Sequence, residues 1–598
     1  MTRPEPRWKQ RFRAPSLTLP DWAIDAPERL AYATNASGSW QIHAWDRERG
    51  AHRQVTEHPT GVIEGGVTPD GSGVLWFEDA KGDEIGRWLV QPFAGGETAP
   101  LLPDAEPAWS AGLALGPKRR VAMGLADRDG FTVRVGAVGE GSEELYRHEQ
   151  TVDVIALSRD GRLLVVQHAE HGDNLHPALR VFDLDGGADP VDLWDGEGRS
   201  LLAVAFSPVP GDSRLALLHE RTGQLRPAVW DPLSGRRADL EVDLPGEVSV
   251  ADWWPDGRAL LLVHTHEGRD ELFRLDLADG GLRRLDHPPG SIAGASVRPD
   301  GTVWYRWSSG SSAPEVRAVG ADALVLRPPG PVAPAGQPYQ SWSFTNPNGQ
   351  RVHGFLVTPE AAEPPYPTAL LVHGGPTAHD ADAWSPQVQA LVDHGWAVAL
   401  VNYRGSSGYG KAWQDALEGN PGFPEVEDVT AGRDDLIARG VADPERVFIT
   451  GASWGGYVTL LTIGTRPAGW RAAAAVVPVA DYLAAYADES EGLQAFDRSL
   501  FGGSPDERPE LYRERSPITY ADRVQAPVLL LVGDNDTRCP LRQVLNYAEA
   551  LRSLGKPVEL DRFDAGHGAL VTDERIRQTE VILDFAARHV PGVKPAER

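Results

Sequence analysis

Gly451-Ala452-Ser453-Trp454-Gly455 follows Arg446-Val447-Phe448-Ile449-Thr450 and precedes Gly456-Tyr457-Val458-Thr459-Leu460-Leu461. The first flank reads as a buried strand and the second as a helix, which makes the pentapeptide a tight turn of the G-x-S-x-G kind. Small residues at its ends let the backbone turn at angles closed to larger side chains, so the hydroxyl projects away from the sheet. Ser453 is the candidate nucleophile. Strand, tight turn and helix together predict a mostly parallel, doubly wound sheet of α/β-hydrolase type.

A serine hydroxyl is a weak nucleophile at neutral pH and needs a base, and the base needs an orienting acid. On such a sheet the expected chain order is serine, then acid, then histidine. Ala526-Pro527-Val528-Leu529-Leu530-Leu531-Val532 reads as a buried parallel strand, and it runs into Gly533-Asp534-Asn535-Asp536-Thr537-Arg538. The next strand, Val558-Glu559-Leu560-Asp561-Arg562-Phe563, leads to Asp564-Ala565-Gly566-His567-Gly568. Both loops fall at the carboxyl edge of the sheet, where open α/β sheets place their sites. The spacings of 83 and 31 residues leave room for two strand–helix units and then one. His567 is the expected base and Asp536 its orienter; Asp534 reads as a loop carboxylate and Asp564 as a turn former.

The oxyanion needs donors. One is the backbone N–H of Trp454. The other is expected from His373-Gly374-Gly375-Pro376, which follows the strand Thr368-Ala369-Leu370-Leu371-Val372; Gly375 is favoured, with Gly374 beside it.

With these motifs in place, the C-terminal part resembles the catalytic domain of the prolyl oligopeptidase family of serine peptidases. Asn402-Tyr403-Arg404-Gly405-Ser406-Ser407-Gly408-Tyr409-Gly410, Glu425-Val426-Glu427-Asp428-Val429 and Asp443-Pro444-Glu445-Arg446 match that family's pattern. His373 marks the acylaminoacyl-peptidase-like branch, since the prolyl endopeptidase and dipeptidyl peptidase branches carry tyrosine there. The resemblance implies that Arg538 faces the substrate, where a guanidinium suits a peptide carbonyl or a carboxylate; pairing with Asp534 or a neighbouring acid is the competing reading. It also implies a supporting role for Arg404, and an S1 pocket near Val479, Tyr482, Tyr486 and Phe496, whose walls favour a hydrophobic side chain. Glu143-Glu144, the one adjacent glutamate pair of the N-terminal half, lacks the flanking pattern of a dipeptidyl peptidase and reads as solvated surface.

At 598 residues the chain is too long for one core. Its N-terminal half carries short β segments separated by turns at Gly38, Gly71, Gly116, Gly161, Gly211, Gly257 and Gly301, spaced by 33, 45, 45, 50, 46 and 44 residues. That period suits four-stranded blades, and seven turns imply an all-β seven-bladed propeller, which the family resemblance also implies. Pro328-Pro329-Gly330-Pro331-Val332-Ala333-Pro334 reads as a stiff linker. The expected division is an N-terminal segment over 1–20 packing on the hydrolase domain, a propeller over 21–330 and a hydrolase domain over 335–598.

The net charge of −27 is spread without blocks, which disfavours nucleic acid and anionic membranes as partners. The N-terminus lacks an apolar h-region and no stretch approaches 18 apolar residues, so a cytoplasmic location is expected. A single cysteine, Cys539, forms no internal disulfide and reads as a buried inert thiol near the site. His168 with His171, and His264 with His266, lack a third ligand in sequence, so neither metal nor cofactor is expected. The expected activity is hydrolysis of short peptides at or near a terminus, acylaminoacyl-peptidase-like, and the family resemblance implies that the propeller restricts substrate size. The alternatives are a carboxypeptidase using Arg538 or another arginine, an oligopeptidase or dipeptidyl peptidase, and a broad esterase. The family's frequent assembly leaves a homo-oligomer open.

Overall fold

Alternating apolar residues between two turns make a strand with one buried face, and among the described residues 28 strands occupy the N-terminal half of the chain. The computed structural model describes residues 5–187, 189–320, 323–360 and 362–597. The strands form seven four-stranded antiparallel sheets of consecutive strands, over 21–54, 65–100, 109–148, 152–193, 201–239, 247–285 and 291–326. These are the blades of a seven-bladed propeller. Hydrophobic clusters lie between adjacent blades, as where Leu163, Val165 and Leu179 of the fourth meet Leu201, Leu215 and Leu217 of the fifth.

Five of the turn glycines, Gly71, Gly161, Gly211, Gly257 and Gly301, join the first strand of a blade to the second with φ between +66° and +81°. Gly116 holds the same place with an extended φ of −125°, the left-handed angles passing to Lys118 and Arg119. Gly38 sits out of phase, between Ala26–Thr34 and Gln41–Asp46. The first strand of that blade, Asp21–Ala23, turns instead at Ile24-Asp25, where the Asp25 N–H bonds Pro69 O of the next blade at 2.8 Å.

Among the described residues, the first and last blades share no strand. Their seam is closed by side chains: Trp45 stacks on Trp304, the Arg298 guanidinium lies 4.6 Å from the Trp304 ring centroid, and Arg298 bonds Pro27 O.

The C-terminal half forms one eight-stranded sheet. Numbered in chain order, its strands are β1 (Gln340–Thr345), β2 (Arg351–Val357), β3 (Tyr366–Val372), β4 (Ala397–Asn402), β5 (Ala442–Ala452), β6 (Ala472–Val476), β7 (Val528–Gly533) and β8 (Val558–Phe563). Their spatial order is β1-β2-β4-β3-β5-β6-β7-β8, antiparallel through β1, β2 and β4 and parallel from β4 to β8. The inner strands are apolar on both faces because helices cover both. Phe423–Ala438, Trp454–Thr465 and Leu541–Ser553 pack on one side, and Pro386–Asp393 and Thr572–His589 on the other.

The N-terminal helix Arg7–Arg13 joins that second layer. Trp8 and Phe12 enter the cluster formed by Val388, Leu391, Ile582 and Phe585. Arg11, buried beside them, is satisfied by Asp393 and by the carbonyls of Pro334 and Ala335. Propeller and hydrolase regions also meet where the second blade's hairpin around 80–85 reaches the loops after β7 and β8.

Candidate active site

Ser453 stands between β5 and the helix Trp454–Thr465 with φ 56° and ψ −121°, a conformation that non-glycine residues rarely hold. The turn is pinned by Ser453 N–H to Val476 O and Tyr457 N–H to Ser453 O, both 2.9 Å. Gly455 is demanded by the same packing, since a Cβ there would lie 2.0 Å from Val372 O. Strain at the serine is thus sustained by strand contacts on both sides.

Asp536 follows β7 with its side chain almost wholly buried. Its Oδ1 accepts the N–H groups of Arg538 and Cys539, each at 2.9 Å, and its Oδ2 lies 2.9 Å from His567 Nδ1. The carboxylate is therefore fixed by its own loop and meets the imidazole Nδ1 with both oxygens, Oδ2 at 2.9 Å and Oδ1 at 3.1 Å, which leaves Nε2 as the ring's acceptor. The Cys539 thiol lies within 4.8 Å of both Asp536 and His567 and is close enough to the Ser453 side chain to be perturbed by it. Serine, imidazole and carboxylate are gathered around one sulfur. Burial, followed by Asp536, Glu489 and Asp497, pushes that thiol well above its ordinary range, so it stays protonated.

Trp454 opens the helix directly after Ser453, and its indole Nε1 donates to Glu425 at 3.1 Å. Glu425, wholly buried, also accepts the Gly422 N–H, and burial raises its pKa to about 8. Gly374 passes beside the serine: a Cβ on it would lie 3.5 Å from Ser453 Cβ and 4.0 Å from Trp454 N. Gly375 follows with φ 130° and turns toward Thr377 and Ala378. His373 stacks on Tyr403 at 4.1 Å, bonds Ser406 Oγ at 2.9 Å and is held neutral by burial, its pKa pushed down to about 4. It braces the glycine loop.

Arg404 is buried against Asp428 and Glu427, beneath the site. Arg538 pairs with Glu84 of the propeller at 2.7 Å, and Asp534 pairs with Arg562. Two further contacts join that propeller hairpin to the site: Thr537 Oγ1 donates to Asp83 O at 2.9 Å, and Gly82 lies so close to Gly566 that neither tolerates a side chain. Val479 and Tyr482 are buried in the cluster beside Trp454 and Tyr457, with Tyr486 and Phe496 packed at its edge. Glu143 and Glu144 lie exposed on the outer strand Ser142–His148, where Glu144 pairs with Arg147.

Three groups could in principle hold a cation: His168, His171 and Asp192; His176, Asp415 and Glu418; and Asp536, Cys539 and His567. The fold supplies the pair His168 and His171 with the third residue that sequence spacing lacks. Asp192 is, however, held by Arg180 through two bonds of 2.6 and 2.8 Å. In the second group Lys411 Nζ already sits 3.0 Å from His176 Nε2. Among the described residues no helix is long and apolar enough to cross a membrane.

Sequence gave no signal for Glu84, whose role depends on two distant chain segments meeting. Glu425 was visible within a matching stretch, but its contact with Trp454 emerges only from the fold.

An α/β-hydrolase sheet behind a seven-bladed propeller, with serine, histidine and aspartate at its carboxyl edge, defines the class. Residues 383–592 match the prolyl oligopeptidase family. Among curated relatives, the uncharacterized peptidase YuxL of Bacillus subtilis is 31% identical over 41% of this chain and 38% of its own. Acylamino-acid-releasing enzyme 2 of Oryza sativa is 34% identical over 33% of this chain and 27% of its own. The aligned part thus spans less than two-fifths of either relative's length. A crystal structure of puromycin hydrolase superposes with a TM-score of 0.84 at 24% identity, covering 99% of this chain and 98% of that one.

Proposed function

We propose that the protein is a serine peptidase that cleaves short peptides at or near a terminus through an acyl-enzyme. The observation that carries this reading is the orientation of His567 by a buried Asp536, around a thiol that is also close to Ser453. In this reading the Ser453 hydroxyl turns to His567 Nε2. The imidazole takes the hydroxyl proton as Oγ attacks the scissile carbonyl, and Asp536 stabilises the imidazolium. The N–H groups of Trp454 and of the Gly374-Gly375 loop bind the oxyanion. His567 then protonates the leaving amine, and water repeats the sequence on the acyl-enzyme.

The half-exposed Arg538 lies on the triad's acid loop, where it suits a peptide carbonyl or a terminal carboxylate. The relatives' names favour release of N-acylated residues, whereas the arginine favours a C-terminal carboxylate as the second reading. Peptides with free, acetylated and amidated ends separate them: dependence on N-acetylation supports the first, and loss on amidation the second. Ser453→Ala is expected to abolish both turnover and fluorophosphonate labelling; a variant that keeps most of its activity refutes the nucleophile. The propeller standing over the acid and histidine loops supports exclusion of large folded substrates.

A further inference from the structure

Around Ser453, one sector is taken by the oxyanion donors Trp454 and Gly374 and a second by His567, where the leaving group departs. Tyr457, Tyr482 and Cys539 pack with Trp454 in one buried cluster, the region where the family resemblance places S1. Trp454, Tyr457 and Tyr482 form a continuous aromatic wall, with ring centroids 4.9 and 5.1 Å apart. Behind it, the junction between the helices Tyr482–Asp488 and Glu491–Phe501 brings in two acids, Glu489 and Asp497, whose carboxyls hydrogen-bond each other. Asp497 is 95% buried, being 5% exposed.

The nearby cation does not satisfy this pair. Arg498 bonds Glu491 at 2.8 Å and Tyr486 Oη at 3.1 Å. Among the described residues, Glu489 Oε1 and Asp497 Oδ2 receive no N–H donor, and the Tyr482 hydroxyl, on a residue only 2% exposed, has no partner. That hydroxyl, the Cys539 thiol and both carboxyls are near enough to perturb one another. Burial raises both acids, so the pair retains a proton at neutral pH. A buried, under-bonded acid pair beside a phenol is costly unless a cation completes it. Such a cation must arrive on a stem long enough to pass the aromatic wall.

We propose that Glu489 and Asp497 form the floor of the S1 pocket and select a cationic P1 side chain, arginine or lysine. The assignment rests on Ser453 being the nucleophile. It changes the expected P1 preference: aromatic walls bind the aliphatic stem, and the acids receive the charged end.

The test is kcat/KM for the wild-type protein on N-acetylated dipeptidyl coumarylamides with P1 arginine, lysine, norleucine or phenylalanine, with an unblocked norleucine substrate as a further arm. Arginine or lysine is expected to exceed norleucine by about 100-fold, and Asp497→Asn with Glu489→Gln is expected to collapse that ratio toward one. Equal turnover of arginine and norleucine overturns the proposal without needing any variant to fold. A preference only for the unblocked norleucine substrate also overturns it, by assigning the charge to an α-amine. Fluorophosphonate labelling of Ser453 in the same preparation separates the two readings. Labelling with no cationic preference sinks only the S1 assignment, and no labelling sinks the peptidase reading.

Discussion

Replacing Asp536 by asparagine tests the site's hydrogen-bond logic. Oδ1 receives two backbone N–H groups at 2.9 Å, from Arg538 and Cys539, while Oδ2 is the oxygen nearer His567 Nδ1, at 2.9 Å against 3.1 Å for Oδ1. An asparagine has one acceptor oxygen to place. Pointing it at His567 would set its NH2 against two N–H donors, forfeiting two bonds and costing about 2–5 kcal/mol. The amide oxygen must therefore face the loop, and its NH2 must face His567. Nδ1 is then forced to accept, the proton moves to Nε2, and the ring cannot take the Ser453 proton. The fold is retained while kcat falls by about 10⁴, or about 5 kcal/mol of transition-state stabilisation. Initial rates on a short peptide, with the rate of fluorophosphonate labelling in parallel, measure this. A loss below about tenfold in both would refute the tautomer argument.

Three further outcomes are expected. Arg538→Ala should lower kcat/KM for peptides by at least about tenfold more than for a small aryl ester. Glu84→Gln, which frees the guanidinium, should raise peptide kcat/KM by a few fold, as befits a partly exposed pair; equal effects on peptide and ester would remove Arg538 from substrate binding. His353, 2% exposed, is held neutral by burial with its pKa lowered to about 4, against about 6.5 when unfolded. The unfolded chain takes that proton first, so stability is full above pH 6.5 and lost as pH falls toward 4, by up to about 3 kcal/mol. Urea midpoints at pH 7 and 4.5 should converge more in His353→Gln than in the parent, and parallel shifts would exclude His353 as the cause.

The fold was legible because its signals are local and repeated. The G-x-S-x-G elbow, the apolar strands before Asp536 and His567, and a glycine period near 45 residues each read from a short window. Gly38 misled as to phase, though not as to number, because the first blade turns through Ile24-Asp25 without glycine. What sequence left dark depends on distant segments meeting. Glu84 reaches Arg538 across 454 positions, and Asp497, one residue past Phe496 on the same helix, is polar where its neighbours read as an apolar wall. Cys539, three residues after Asp536, read as a buried inert thiol that could line the site, and the fold buries it within 4.8 Å of Asp536 and His567.

The hairpin around Gly82 touches both halves of the proton-relay apparatus at once: Asp83 O takes the Thr537 hydroxyl beside the acid, and Gly82 abuts Gly566 beside the imidazole. The ring is thereby part of the scaffold that sets the register of acid and base. Swinging it outward to widen the entrance would strip lateral support from both loops together. On the proposed reading, an opening that admitted a peptide there would at the same time withdraw the support that aligns acid with base.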